Sequence, residues 1–69
     1  MNESWRQAEA DAHEAKADAL GIAVAALRGC EGALSPLAWQ QAESLLISVE
    51  HERDAHAQAA TLARATVTG

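Results

Sequence analysis

Leu27-Arg28-Gly29-Cys30-Glu31-Gly32-Ala33-Leu34-Ser35-Pro36 decides the fold, because it stops one alanine-rich helix and starts another within a few residues. Gly29 follows the last periodic position, where a helix often closes through a residue that tolerates positive φ. Arg28 puts a cation in the last turn, against the negative end of the helix dipole. The restart is equally marked. Ser35 can accept a hydrogen bond from a first-turn N–H, Pro36 is pre-set for the first helical position, and Leu34 is placed to staple onto Trp39. The stretch predicts an antiparallel two-helix hairpin.

Working outward, Ser4-Trp5-Arg6-Gln7 fits a capping box, with Asn2 as the alternative cap. The expected organisation is one helical-hairpin domain over residues 1–69. Its first helix spans about 4–28, its loop 29–35 and its second helix about 36–65, with Thr66-Val67-Thr68-Gly69 expected to fray. Alanine fills 18 of 69 positions while Phe and Tyr are absent, a composition that favours helix throughout and leaves no strand-like alternation to compete.

So short a two-helix chain has little interior, and small folds usually need a disulfide, a metal or association. A single cysteine makes no internal disulfide, and no Cys/His spacing reads as a zinc site. Association is therefore expected, with a homodimer that closes into a four-helix bundle favoured. A net charge of -5 with five scattered Lys and Arg argues against nucleic acid as partner, since phosphate neutralisation needs clustered cations. The apolar run from Ala19 to Leu27 is too short to span a bilayer, and the acidic segment before it lacks the basic flank of a signal peptide. No membrane association is expected, and the cytoplasm is the expected location.

Steps of three and four along the first helix give a heptad seam of Trp5, Ala8, Ala12, Ala15, Ala19, Ile22 and Ala26, and a second stripe of His13, Ala17, Leu20, Val24 and Leu27. The second helix carries a broad face of Ala38, Ala42, Leu45, Leu46, Val49, His56, Ala59, Ala60 and Ala63, with Leu37, Ile47 and Leu62 on another side. Each helix thus has more apolar surface than one neighbour covers. With the heptad seam as the hairpin contact, a direct fold-back sets Ile22 near Ala42, Ala19 near Leu45, Ala15 near Val49 and Trp5 near Ala59 or Ala60. Glu9 or Asp11 then faces Arg53, and Lys16 faces Glu50 or Glu52. The Leu20, Val24 and Leu27 surface is left for a second hairpin.

The residues expected at oligomer or partner interfaces are Trp5, Leu20, Ile22, Val24, Leu27, Trp39, Leu45, Leu46 and Val49. Cys30 follows the negative end of a helix and precedes Glu31, both of which disfavour thiolate, so it reads as an unactivated loop thiol. Glu9/His13 and Glu52/His56 stand one turn apart and are the candidate metal ligands. Neither has the Glu-x-x-His spacing of carboxylate-bridged di-metal bundles, and surface pairing explains them as well. His56 on an apolar face reads first as a core-filling neutral imidazole and second as a pH switch. Gly21-x-x-x-Ala25 could mark a close helix crossing.

No motif of reaction chemistry is present, so no catalytic residue and no cofactor are expected. The leading functional reading is a non-enzymatic, acidic helical protein that self-associates and binds a protein partner, as a regulator or antagonist of the kind phages and mobile elements encode. The alternatives are a metal-binding bundle that uses the Glu/His pairs, and a purely structural oligomerisation module.

Overall fold

The computed structural model describes residues 2–68. Helix α1 spans Asn2–Arg28, a single 3-10 turn spans Glu31–Ala33, and helix α2 spans Pro36–Thr68. The two long helices pack antiparallel into a rod of 52 × 14 × 12 Å, with Arg64 of α2 reaching Asp11 near the start of α1 and Arg28 reaching Glu50.

Both helices exceed their expected limits. α1 starts at Asn2, which places Ser4 inside its first turn rather than at a cap. α2 continues through Thr66 and Thr68, where neither Pro nor Gly intervenes to stop it; Gly69 lies outside the described residues.

The turn keeps its expected place but not its expected mechanism. Gly29 N–H donates to Ala25 O at 3.1 Å, Cys30 N–H to Leu27 O at 3.0 Å and Ala33 N–H to Cys30 O at 2.9 Å. The helix therefore ends by tightening into 3-10 hydrogen bonding, and no residue among those described has positive φ. Gly29 has no conformational duty that only glycine can perform. Ser35 caps α2 as expected: Ala38 N–H donates to Ser35 Oγ at 3.2 Å, and Trp39 N–H donates to Ser35 O at 2.8 Å.

The main correction concerns which face of α1 meets α2. Ala10, Ala17 and Val24 are buried against Leu46 and Ala60, and His13, Leu20 and Leu27 are half-buried. The heptad seam instead faces outward: Trp5 is 65% and Ile22 73% exposed, and Ala8, Ala12, Ala15, Ala19 and Ala26 are exposed with them. Size explains the exchange. The stripe concentrates Leu20, Val24 and Leu27 within two turns, whereas the seam's two large residues, Trp5 and Ile22, are separated by four alanines, and burial is worth roughly 25 cal/mol per Å2. On α2 the broad face is half-buried or buried except for Leu45, which is 58% exposed, because Leu46 beside it takes the core position.

The register also differs from a direct fold-back. A Cβ at Gly21 would meet Arg53 Cδ at 3.8 Å, so Gly21 lies about three turns further along α2 than the expected Ile22–Ala42 contact implies. The connection with its 3-10 turn advances along the axis, so the first turns of α2 extend beyond the end of α1. That displacement replaces the expected ion pairs. Arg64 bonds Asp11 at 3.0 Å and also Glu14, Arg28 pairs with Glu50, and Arg53 bonds its neighbour Asp54 at 3.0 Å. Glu9 and Lys16 are exposed. The 3.8 Å of room at Gly21 also removes the close crossing expected of Gly21-x-x-x-Ala25.

Candidate functional site

Two grooves flank the helix contact. Ala23 and Ala25 sit on either side of the buried Val24, a hundred degrees each way, and each lines a different groove, so the grooves lie on opposite sides of the hairpin. One is lined by Ala17, Asp18, Gly21, Ile22, Ala25, Arg53 and Ala57. The same side holds Asp11, Glu14, Asp18 and Arg28 at helical steps of three and four along α1, and Glu50, Asp54, Ala57 and Arg64 along α2. This is the ion-paired side. A hydrogen bond from Arg64 to the Glu14 carboxylate holds the arginine pKa above its ordinary value, and the Asp11 carboxylate adds to it.

The other groove is lined by Ala23, Val24, Ala26, Leu27, Cys30, Leu45, Leu46 and Val49 and has a volume of about 390 Å3. Its walls are apolar throughout, and it gathers five of the residues expected at an interface: Val24, Leu27, Leu45, Leu46 and Val49. Leu20 is half-buried one turn before Val24, and Trp39 is half-buried near the start of α2. Trp5 and Ile22 stand apart on the exposed part of α1.

Cys30 is an exposed free thiol whose Sγ donates to Ala26 O at 3.4 Å. Its place at the groove rim gives it a packing role beside Leu27 and Leu45.

Between the helices, His13 and His56 bring their Nδ1 atoms to 2.9 Å, with ring centroids 5.2 Å apart and planes 30° from parallel. Such separations arise when the two nitrogens point head to head along one line. One ring therefore donates its Nδ1–H and the other accepts, which fixes opposite tautomers on the two histidines. The geometry is that of a hydrogen bond; a tetrahedral metal needs lone pairs that converge on a third point. Glu9 and Glu52, the carboxylates expected to join these histidines, are exposed. Among the described residues no three His, Cys, Asp or Glu side chains converge.

The histidine contact was within reach of the sequence, since His13 lies on the Leu20/Val24/Leu27 stripe and His56 on the broad face of α2. With the heptad seam as the hairpin contact, His13 would turn away from α2 and the pairing would not arise. Arg64 as a bridge to two carboxylates had no such signal, because it depends on the register.

The features define an all-helical, antiparallel helix pair with one ion-paired and one apolar side. No family model matches the chain, and no curated protein or solved structure is similar to it. No helix among the described residues is long and apolar enough to cross a membrane.

Proposed function

We propose that this chain is a non-enzymatic helical-hairpin module of the cytoplasm that self-associates, favouring a dimeric four-helix bundle, and presents its remaining apolar and acidic surface to a protein partner as a regulator or antagonist. The observation that carries this reading is the mismatch between apolar content and burial. The buried hydrophobic residues are Ala10, Ala17, Val24, Leu46 and Ala60, whereas Trp5, Ile22, Leu37, Leu45, Ile47 and Leu62 are each more than half exposed. Scattered exposed apolar residues are ordinary. An apolar groove beside an exposed leucine in a molecule with so thin a core is a site for protein contact.

The acidic balance supports a protein partner over nucleic acid, since the arginines Arg28, Arg53 and Arg64 are engaged with carboxylates of their own chain. A partner that inserts an apolar side chain matches the groove by shape.

Solution mass and affinity purification from the native cell test the reading together. The expected result is a dimer mass for the isolated chain and a protein co-purifying with it in defined ratio. A well-folded monomer at micromolar concentration that retains no partner would sink the proposal.

A further inference from the structure

His13 and His56 meet on the line of contact between α1 and α2, and both are half-buried. Their Nδ1 atoms are 2.9 Å apart and their ring centroids 5.2 Å apart. The centroid separation equals the nitrogen separation plus one ring radius on each side, the largest value that this contact allows. Both nitrogens therefore lie on the line between the rings, and each presents its in-plane bonding direction to the other.

That line distinguishes metals by their geometry. Zn(II) takes a tetrahedral set of four ligands, and among the described residues no three His, Cys, Asp or Glu side chains converge. Two opposed nitrogens instead offer linear two-coordination, the geometry of monovalent d10 cations such as Cu(I) and Ag(I), and imidazole is a ligand that copper accepts. A metal–imidazole bond of about 2 Å on each side sets the nitrogens about 4 Å apart, so the rings must part by roughly 1 Å. The surroundings allow it. The buried neighbours within one turn are alanines, Ala10 and Ala17 beside His13 and Ala60 beside His56, and each imidazole has two side-chain torsions through which to withdraw.

Charge also favours a monovalent ion. The ionisable groups within one turn of the pair are Glu9 and Lys16 on α1 and Glu52 and Arg53 on α2, so no carboxylate excess is there to neutralise a divalent ion. Desolvation costs a single charge far less than a double one. In the hydrogen-bonded pair one ring carries its proton on Nδ1 and the other on Nε2. Binding uses both Nδ1 lone pairs, so the first ring's proton passes through water to its own Nε2; no proton is released and nothing is oxidised or reduced.

We infer that His13 and His56 form a linear two-coordinate site for one monovalent d10 cation, Cu(I), with Ag(I) as its redox-inert equivalent. The site is complete within one chain and needs no self-association. Silver nitrate titrated into the full-length Cys30→Ser chain in chloride-free buffer tests it, the substitution having removed the thiol, a stronger soft ligand. One silver ion per chain is expected to bind, with both histidines becoming Nε2–H tautomers by nitrogen-15 NMR and helical circular dichroism retained. Affinity should fall at least about tenfold in His13→Gln and in His56→Gln and stay unchanged in His51→Gln, which alters the third, exposed histidine. Cu(I), kept reduced under argon, is expected to compete with silver. The NMR measurement needs neither histidine variant, so it decides even where a variant fails to fold. Absence of saturable silver binding, tautomers unchanged by silver, failure of Cu(I) to compete, or Zn(II) bound as tightly as silver overturns the site.

Discussion

One side of the hairpin carries Asp11, Glu14, Arg28, Glu50 and Arg64 in ion pairs that bridge α1 and α2, while the other carries a groove walled by Ala23, Leu27, Leu45 and Val49 with no charged lining. The same two helices, about a hundred degrees to either side of their line of contact, thus present surfaces of opposite character. Exposed ion pairs contribute only ~0–1 kcal/mol each, so the charged side fixes register and is complete in the single chain. The apolar side remains open to water, and free energy would be gained there only on its burial. The lesson is that the pairs that set the register and the apolar surface still open to water lie on different sides.

Substitutions can break that comparison. The largest effect is expected at Leu46, which both sides share as the buried centre: Leu46→Ala should cost ~2–5 kcal/mol and abolish a cooperative thermal melt followed by circular dichroism. Its neighbour Leu45 is exposed, so Leu45→Ala should leave the melt of the dilute hairpin nearly unchanged while weakening assembly. Equal losses at the two positions would show that the exposed wall of the groove is not separable from the buried core.

The histidine pair tests the interface between the two sides. His13 and His56 share one N–H between nitrogens 2.9 Å apart, so loss of either ring leaves the other's nitrogen without its partner. His13→Leu should therefore cost ~1–3 kcal/mol through the orphaned His56 nitrogen. A melt of the variant that coincides with the parent's would dismiss the head-to-head bond.

On the ion-paired side there is room for a methyl group at Gly21, whose Cβ would touch Arg53 Cδ at 3.8 Å. Gly21→Ala should therefore stabilise α1 by ~0.5–1 kcal/mol, read as a higher melting midpoint; a lower one would mean the helices approach more closely than described. The smallest effect is expected at Arg64. Arg64→Gln should lower the melting midpoint only slightly, and not at all in molar salt, where exposed pairs are screened. The raised pKa of Arg64 keeps its contribution fully present below the ordinary arginine range, to be lost only as pH rises through the raised value.

Much of this molecule was legible in its sequence, and the misses share a cause. The turn, the Ser35 cap and the two helices follow from local rules about Gly, Pro and Ser, which act within a few residues. The choice between the Trp5 to Ala26 seam and the His13 to Leu27 stripe does not, because both satisfy helical periodicity and only the relative size of the buried side chains ranks them. Register was less legible still: it depends on how far residues 29–35 advance along the axis, and the 3-10 turn at Glu31–Ala33 carries no strong sequence signal. The groove depends on both, although Val24, Leu27, Leu45, Leu46 and Val49 are legible as large apolar positions from helical periodicity alone.

The sequence by itself determined that the chain is helical, where it turns, that it is acidic, and that each helix has more apolar surface than one neighbour can cover. These are properties of composition and of interactions within one or two turns. Tertiary structure decided which stripe of α1 is buried, that His13 meets His56, that Arg64 rather than Arg53 bridges to Asp11, and that the apolar and charged residues sort to opposite sides. Those outcomes depend on the rotation and axial offset of one helix against the other, two quantities fixed by competition between whole faces and encoded in no single residue.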